Sequence, residues 1–311
     1  MYQITNAILM IRPVKFRMNE QTAVNNYYQK DIPEWSQYEI QKKALSEFDN
    51  LVIKLRKVGV HVVVVEDLSE TDTPDSVFPN NWISFHQNGN IAVYPMFAEN
   101  RRLERREDIL EILAEKGFKI RHVIDYTSAE EEGVFLEGTG SLVLDRVNRK
   151  AYGALSPRAD EGLFIEFCED FEYTPVLFHA YHTINRKRKL IYHTNVMMTL
   201  TEKLAIICLD SIDDKKERKN VISHLRMDGK KIITLSELQI NNFAGNMLQV
   251  KNEDDMRYIV MSETAYDSLM ADQLKSIEME SKIIKSDIST IEILSGGSVR
   301  CMMAEIFTME K

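Results

Sequence analysis

Five times along the chain, a short group of small or amide residues introduces two strand-like runs, a helical stretch and a third strand-like run. The openings are Asn80-Asn81, Gly138-Thr139-Gly140, Thr194-Asn195, Gly245-Asn246 and Gly297-Ser298. They recur roughly every 50 to 60 residues, a period that belongs to repeat and propeller architectures. Strands are expected at 78–85, 91–94 and 120–124, around a charged helix at 101–116 that Gly117 ends. The next unit has strands at 140–144, 151–155 and 175–178 and a helix at 160–168. The fourth has strands at 195–200, 205–209 and 232–235 and a helix at 213–225. The fifth has strands at 246–250, 258–261 and 283–291 and a helix from Glu263.

The two ends of the series are incomplete in complementary ways. At the start there is a strand at 5–12, which Pro13 ends. A helix capped by Ser36 follows, in which Ile40, Ala44, Leu45, Phe48, Leu51, Val52 and Leu55 keep helical spacing up to Gly59, and then a β-branched run at 60–65. At the other end the chain stops soon after 297–307, which holds an opening and one buried strand-like run carrying Cys301. Setting that run beside 5–12 closes a ring of five modules. The expected fold is α/β, built of repeated ββαβ units in one domain over 1–311 with the chain ends closing the ring.

Bulk properties narrow the partners. A net charge of −9 argues against nucleic acid and anionic membrane surfaces. No apolar stretch approaches the length of a membrane span, and residues 1–13 lack the basic leader and small-residue cleavage site of a signal peptide. Three distant cysteines, Cys168, Cys208 and Cys301, suit a reducing compartment better than a disulfide framework. A cytoplasmic protein acting on a small molecule is expected, as a monomer or a homodimer. No cofactor is expected, since there is no Walker loop and no GxGxxG opening a helix. No metal is expected either, because His179 and His182 are the one close histidine pair and have no further ligand at zinc spacing.

A ring brings equivalent openings to one axis, so residues far apart in sequence meet there. These positions carry Asp75, Glu137, His193 and Cys301. Singly, each has an ordinary role: Asp75 as a turn residue, Glu137 as a surface ion-pair partner, His193 and Cys301 as core. Four such residues at equivalent places favour chemistry over coincidence. Cysteine is the nucleophile type whose thiolate a neighbouring imidazolium favours, and His193 can supply one and then act as general acid and base. Glu137 can orient the imidazole, and Asp75 offers a fixed anion to a planar nitrogenous group. The set implies attack by sulfur on a planar, nitrogen-substituted carbon. The basic clusters Arg101-Arg102 with Arg105-Arg106, and 186–189, are expected to be solvated faces or turns, and Cys168 and Cys208 core. The long polar segment before Pro33 and the acidic stretch 130–133 are candidate lids.

The stretches Asp75-Ser-Val-Phe-Pro-Asn-Asn-Trp82, Leu136-Glu-Gly-Thr-Gly-Ser141, Tyr192-His-Thr-Asn-Val-Met-Met198 and Gly296-Gly-Ser-Val-Arg-Cys-Met-Met303 resemble the guanidino-group-modifying penteins. That superfamily includes arginine deiminases, dimethylarginine dimethylaminohydrolases and amidinotransferases; the likeness is nearest to its bacterial amidinotransferase-like or citrulline utilisation hydrolase branch. The resemblance covers essentially the whole chain and implies a five-bladed α/β propeller with its site on the axis. It implies Cys301 as nucleophile, His193 as acid and base, Glu137 as its carboxylate partner and Asp75 as the substrate anchor, with Phe78 and Asn81 beside it. It adds Arg158, in a Leu-Ser-x-Arg stretch, for the substrate's carboxylate, and allows Arg101 or Arg102 to help.

One departure bears on substrate. Arginine deiminases place an aspartate two residues after the histidine, where this chain has Asn195. An amide there removes a negative charge and can donate to a carbonyl, which favours a neutral ureido compound such as citrulline. Citrulline hydrolysis is the leading expectation. Arginine deimination, methylarginine hydrolysis and amidino transfer with the same residues are alternatives, and a non-catalytic propeller module is the remaining one.

Overall fold

The computed structural model describes residues 2–68 and 70–307. Five three-stranded sheets carry the chain, and four of them share one plan. In the second, Ile83–Phe85 pairs antiparallel with Asn90–Val93, which then pairs parallel with His122–Asp125. A tight turn suffices for the first pairing, while the parallel one needs a helical crossover. Val143–Asp145, Lys150–Ala154 and Thr174–Phe178 repeat the plan, as do Met198–Leu200, Leu204–Ile207 and Lys231–Thr234, and Leu248–Lys251, Arg257–Ser262 and Lys282–Ser286. The crossover helices include Glu161–Asp170, Lys215–Met227 and Ala271–Glu278.

The first sheet joins the chain ends. Ala304–Ile306 pairs antiparallel with Ala7–Arg12, Leu9 facing Ala304, and Ala7–Arg12 pairs parallel with His61–Glu66. The helix between them, Gln37–Lys57, starts at a capping box in which Ser36 accepts from the Glu39 backbone N–H and the Glu39 carboxylate accepts from Ser36 N–H. It buries Ile40, Ala44, Phe48, Leu51, Val52 and Leu55, each worth up to roughly 2 kcal/mol of apolar transfer. Leu45, expected on the same face, is only half-buried.

The sheets are separate, and no single closed sheet occurs among the described residues. Several boundaries differ from expectation for a common reason. The openings are tight turns and not strand residues: Pro79–Asn81 and Thr194–Val196 are single helical turns, Gly138–Ser141 is another, and the strands begin two residues later. Cys301 likewise lies in a turn, its N–H donating to Ser298 O, and the strand starts only at Ala304. The apolar run ending at Ile291 is two elements. After Lys282–Ser286 a helix, Ser289–Ser295, begins where the Glu47 carboxylate accepts from Thr290 and Ile291 N–H. The expected helix at 101–116 is broken into Glu99–Arg102 and Asp108–Glu115.

The basic stretch 186–189, expected on a solvated face or in a turn, runs from the tip of a hairpin into its second strand, Tyr181–Ile184 pairing with Lys187–Leu190, and the tip Asn185-Arg186 takes positive φ at both positions. No helix among the described residues is long and apolar enough to cross a membrane. The three cysteines are free and buried.

Candidate active site

The turns that precede the strands deliver the polar residues to one cavity. Its walls include Asp75, Phe78, Asn81, Arg158, His193 and Cys301. Glu137 reaches it through the His193 ring and Asn195 through the Cys301 sulfur. All eight residues expected at the site from the sequence are therefore together and buried. Among the described residues, no cluster of three metal-ligating side chains occurs.

His193 Nε2 lies 2.7 Å from Glu137 Oε2, and the other Glu137 oxygen accepts from Phe97 N–H at 3.0 Å. That bond leaves Nδ1 as the ring nitrogen without a protein partner among the described residues. Gly140 makes the placement feasible: a Cβ there would stand 2.8 Å from His193 Nδ1 and Cε1 and 2.5 Å from Asn81 Nδ2. Burial pushes the imidazole down to about 4, against the raising pull of Glu137. Burial also acts to raise the Glu137 carboxyl, but the Arg158 charge, the His193 bond and Arg101 together hold it well below the ordinary range. At neutral pH the pair is a neutral imidazole beside a carboxylate. The imidazolium expected from the sequence is not the resting form.

This has a consequence for stability. Below about 6.5 the unfolded chain binds a proton at His193 that the folded chain refuses until about 4, so stability falls as pH drops through that window. His86 and His182, also buried and lowered, add to the slope. His193→Gln is expected to flatten the dependence of unfolding free energy on pH between 6.5 and 4.5 by up to about 1.4 kcal/mol per pH unit. Urea titrations across that range read the difference directly.

Asp75 is buried, and Asn19 Nδ2 and Thr22 Oγ1 donate to its Oδ2 at 2.8 and 3.3 Å. Its Oδ1 has no partner. Burial pushes the carboxyl up, with Arg101 and Arg158 pulling it back. Arg101 is buried inside the site, which corrects the expectation of a solvated face, while the resemblance had left room for it beside the substrate. It forks onto Glu104 through two 2.9 Å bonds, donates to Asn81 Oδ1 at 2.9 Å and lies 4.0 Å from Asp75. The helix break after Arg102 lets it turn inward. Arg105 and Arg102 instead hold Glu130 outside the cavity, so the acidic stretch 130–133 is not over the site.

The Arg158 guanidinium lies over the Tyr192 ring at 4.8 Å and 3.4 Å from Glu137. It is also covered by the polar segment before Pro33: Asn25 Oδ1 accepts from its Nε at 3.0 Å and Thr22 O from its Nη2 at 3.0 Å. Asn26 fastens the same segment to Ser295 O at 2.8 Å. The Phe78 ring packs on Gly297, with Cζ 2.7 Å from where a Cβ would be. What remains open is about 20 Å³, room for roughly one water.

Asn195 Nδ2 donates to Thr139 O at 3.3 Å and lies 3.5 Å from Cys301 Sγ, so its hydrogens point away from any ligand and its unpartnered Oδ1 is the free end. Asn81 is the reverse, since Arg101 occupies its Oδ1 and its buried Nδ2 lacks an acceptor. Sequence reasoning missed Asn19, Thr22 and Asn25 of the cover, and Glu104. The paired amides in 13–33 were the available signal. Asn246, noted only as an opening, lies 3.3 Å from the sulfur.

The fold is similar to those of solved guanidino-modifying enzymes. The N-terminal domain of ArgZ, covalently bound to a reaction intermediate, superposes with a TM-score of 0.72 at 18% identity over 97% of this chain and 98% of that one. ArgZ is described as an arginine dihydrolase from the ornithine-ammonia cycle in cyanobacteria. AgrE in complex with ornithine and NAD+ gives 0.73 at 16% identity, and there this chain covers 40% of the longer protein. A DDAH variant from Pseudomonas aeruginosa complexed with citrulline gives 0.64 at 14% identity over 98% of this chain and all of that one. No curated protein sequence gives a significant match. The chain belongs to the family described as N,N dimethylarginine dimethylhydrolase, eukaryotic, whose model matches residues 12–308. Membership places it among the C–N hydrolases of arginine-type compounds.

Proposed function

We propose that the chain hydrolyses the ureido or guanidino group of a free amino acid, with citrulline first and ornithine, ammonia and carbon dioxide as products. The carrying observation is that unsatisfied groups of both kinds lie beside Cys301 and His193: buried acceptors, Asp75 Oδ1 and Asn195 Oδ1, and a buried donor, Asn81 Nδ2. A guanidinium presents only donors, whereas a ureido group presents N–H groups and a carbonyl oxygen and can satisfy both. The amide that favours a ureido oxygen is thus Asn81; the expectation that Asn195 donates to it is set aside.

In this reading Cys301 Sγ attacks the ureido carbon while neutral His193 takes the thiol proton. The C–N bond breaks, and His193 passes that proton to the departing amine. A water then gives a proton to His193 and attacks the carbamoyl carbon. The C–S bond breaks, the thiol regains its proton, and the carbamate falls apart to ammonia and carbon dioxide. Arg158 takes the substrate's carboxylate once the cover lets go of it. We read the five sheets as the blades of a cytosolic α/β propeller in one domain over 1–311. Pairing of the chain ends supports this, as does the arrival of site residues from every unit.

The test is incubation with citrulline, arginine and dimethylarginine separately, assaying ornithine, citrulline, dimethylamine and ammonia. Ornithine and ammonia from citrulline are expected. The family's name points to dimethylarginine and ArgZ's to arginine; turnover of either in place of citrulline corrects the substrate, and turnover of none overturns the proposal. In the same assay Asn195→Asp is expected to move the ratio of kcat/KM values toward arginine by about tenfold, since an added anion favours the cation.

A further inference from the structure

We infer that Asn246 is a catalytic residue: its side-chain amide donates to the Cys301 sulfur and stabilises the charge that sulfur carries in attack and departure. The inference rests on the proposal that Cys301 is the nucleophile. The resting His193 is neutral, so no imidazolium lies beside the sulfur to hold a thiolate. Local dipoles are the alternative source of stabilisation.

Asn246 is built to be one. Its Oδ1 accepts from Arg300 N–H at 3.0 Å, which fixes which end of the amide is which. Its Nδ2 donates to Asn195 O at 3.0 Å and lies 3.3 Å from Sγ, so one hydrogen holds the neighbouring turn and the other is directed at the sulfur. The residue is 1% exposed, so water does not compete. Gly245 permits this approach, because a Cβ there would stand 2.2 Å from Val196 O. Asn195 Nδ2, at 3.5 Å from Sγ, is a second and longer donor. The protonated thiol has its own acceptor in Asn246 Oδ1, 3.8 Å away. One amide thereby serves both protonation states of the sulfur without moving.

The test reads the thiol before any substrate is involved. Alkylation of Cys301 by iodoacetamide is followed against pH in the intact chain and in Asn246→Ala and Asn246→Asp, with melting curves for each. Both variants are expected to need a pH higher by roughly one unit for half-maximal rate, the aspartate variant more, with kcat/KM down at least about tenfold. Asn246→Asp keeps the acceptor for Arg300 but loses the donor to Asn195 O, so the melting curves decide which variant is read. A second measurement leaves Asn246 in place: its side-chain N–H resonances are expected to titrate with the thiol, and not to do so in Cys301→Ser. Unshifted alkylation in a folded variant, or resonances that ignore the thiol, overturns the inference. If the intact chain turns over none of the three substrates, the functional proposal falls while the alkylation and resonance results still decide the role of Asn246.

Discussion

Cys301→Ser is expected to lose turnover of citrulline by at least about 10⁴-fold while keeping its fold and binding the substrate. The change is small, and the residue sits in a turn held by backbone hydrogen bonds and not by its sulfur. Neither other cysteine can stand in, because Cys168 and Cys208 lie in the core, and burial pushes the Cys168 thiol up to about 12 and the Cys208 thiol up as well. Acid-quenched mixtures of the intact chain with citrulline should show a mass gain of one carbamoyl group on the peptide holding Cys301. An amidino group after arginine would identify a guanidino substrate by the same route. Turnover that survives in the variant would place the chemistry elsewhere.

Gly140→Ala is expected to lower kcat by about 100-fold with a stability loss of only about 1–3 kcal/mol. The three atoms nearest the new methyl group belong to side chains, the Asn81 amide and the His193 ring, so the first adjustments it demands are tilting the ring and turning the amide. Those are the proposed acid-base group and the proposed carbonyl donor, so the small displacement falls on the chemistry. A parallel Gly162→Ala provides the control. That position starts the helix Glu161–Asp170 outside the site, and a methyl there meets only Asp160 Oδ1 at 3.3 Å. It should leave kcat unchanged and the melting temperature unchanged or slightly raised.

The strand-and-helix grammar was legible because each signal is local. The capping box at Ser36 and the β-branched run before Glu66 need no distant partner to be recognised, and complementary incompleteness at the two ends was enough to pair 304–306 with 7–9. Cys301, His193, Glu137 and Asp75 were legible for a different reason, since each lies close to an opening of a repeat and the openings meet at one cavity. What escaped depends on distant contacts. Arg101 lies in a run of arginines that reads as a wet helix face, and only the break after Arg102, with Glu104 waiting inside, turns it inward. Helix Ser289–Ser295 was hidden because Ile288, Ile291 and Leu294 continue the apolar run of the preceding strand. Its beginning is set by Glu47, more than 200 residues earlier in sequence. Orientation of the Asn81 and Asn195 amides is likewise invisible in sequence, yet it decides which of them can greet a carbonyl.

On the proposed reading, the polar cover over Arg158 imitates a ligand's carboxylate. Amide and hydroxyl hydrogens from Asn19 and Thr22 engage one oxygen of Asp75 and leave the other free, while oxygens from Asn25 and Thr22 engage the Arg158 guanidinium, which in the proposed reading receives the substrate's carboxylate. On that reading a guest competes with a tethered rival for Arg158, while the free oxygen of Asp75 needs no displacement. The guest's measured affinity is its intrinsic affinity reduced by the fraction of molecules with the cover withdrawn. A fragment such as free urea reaches the free oxygen of Asp75 but leaves Arg158 in the grip of Asn25. A ligand carrying both head and carboxylate at amino-acid spacing replaces everything it displaces. The cover then works as a gauge of length, and selectivity against small nitrogenous solutes comes from the chain's own residues before the sulfur is reached.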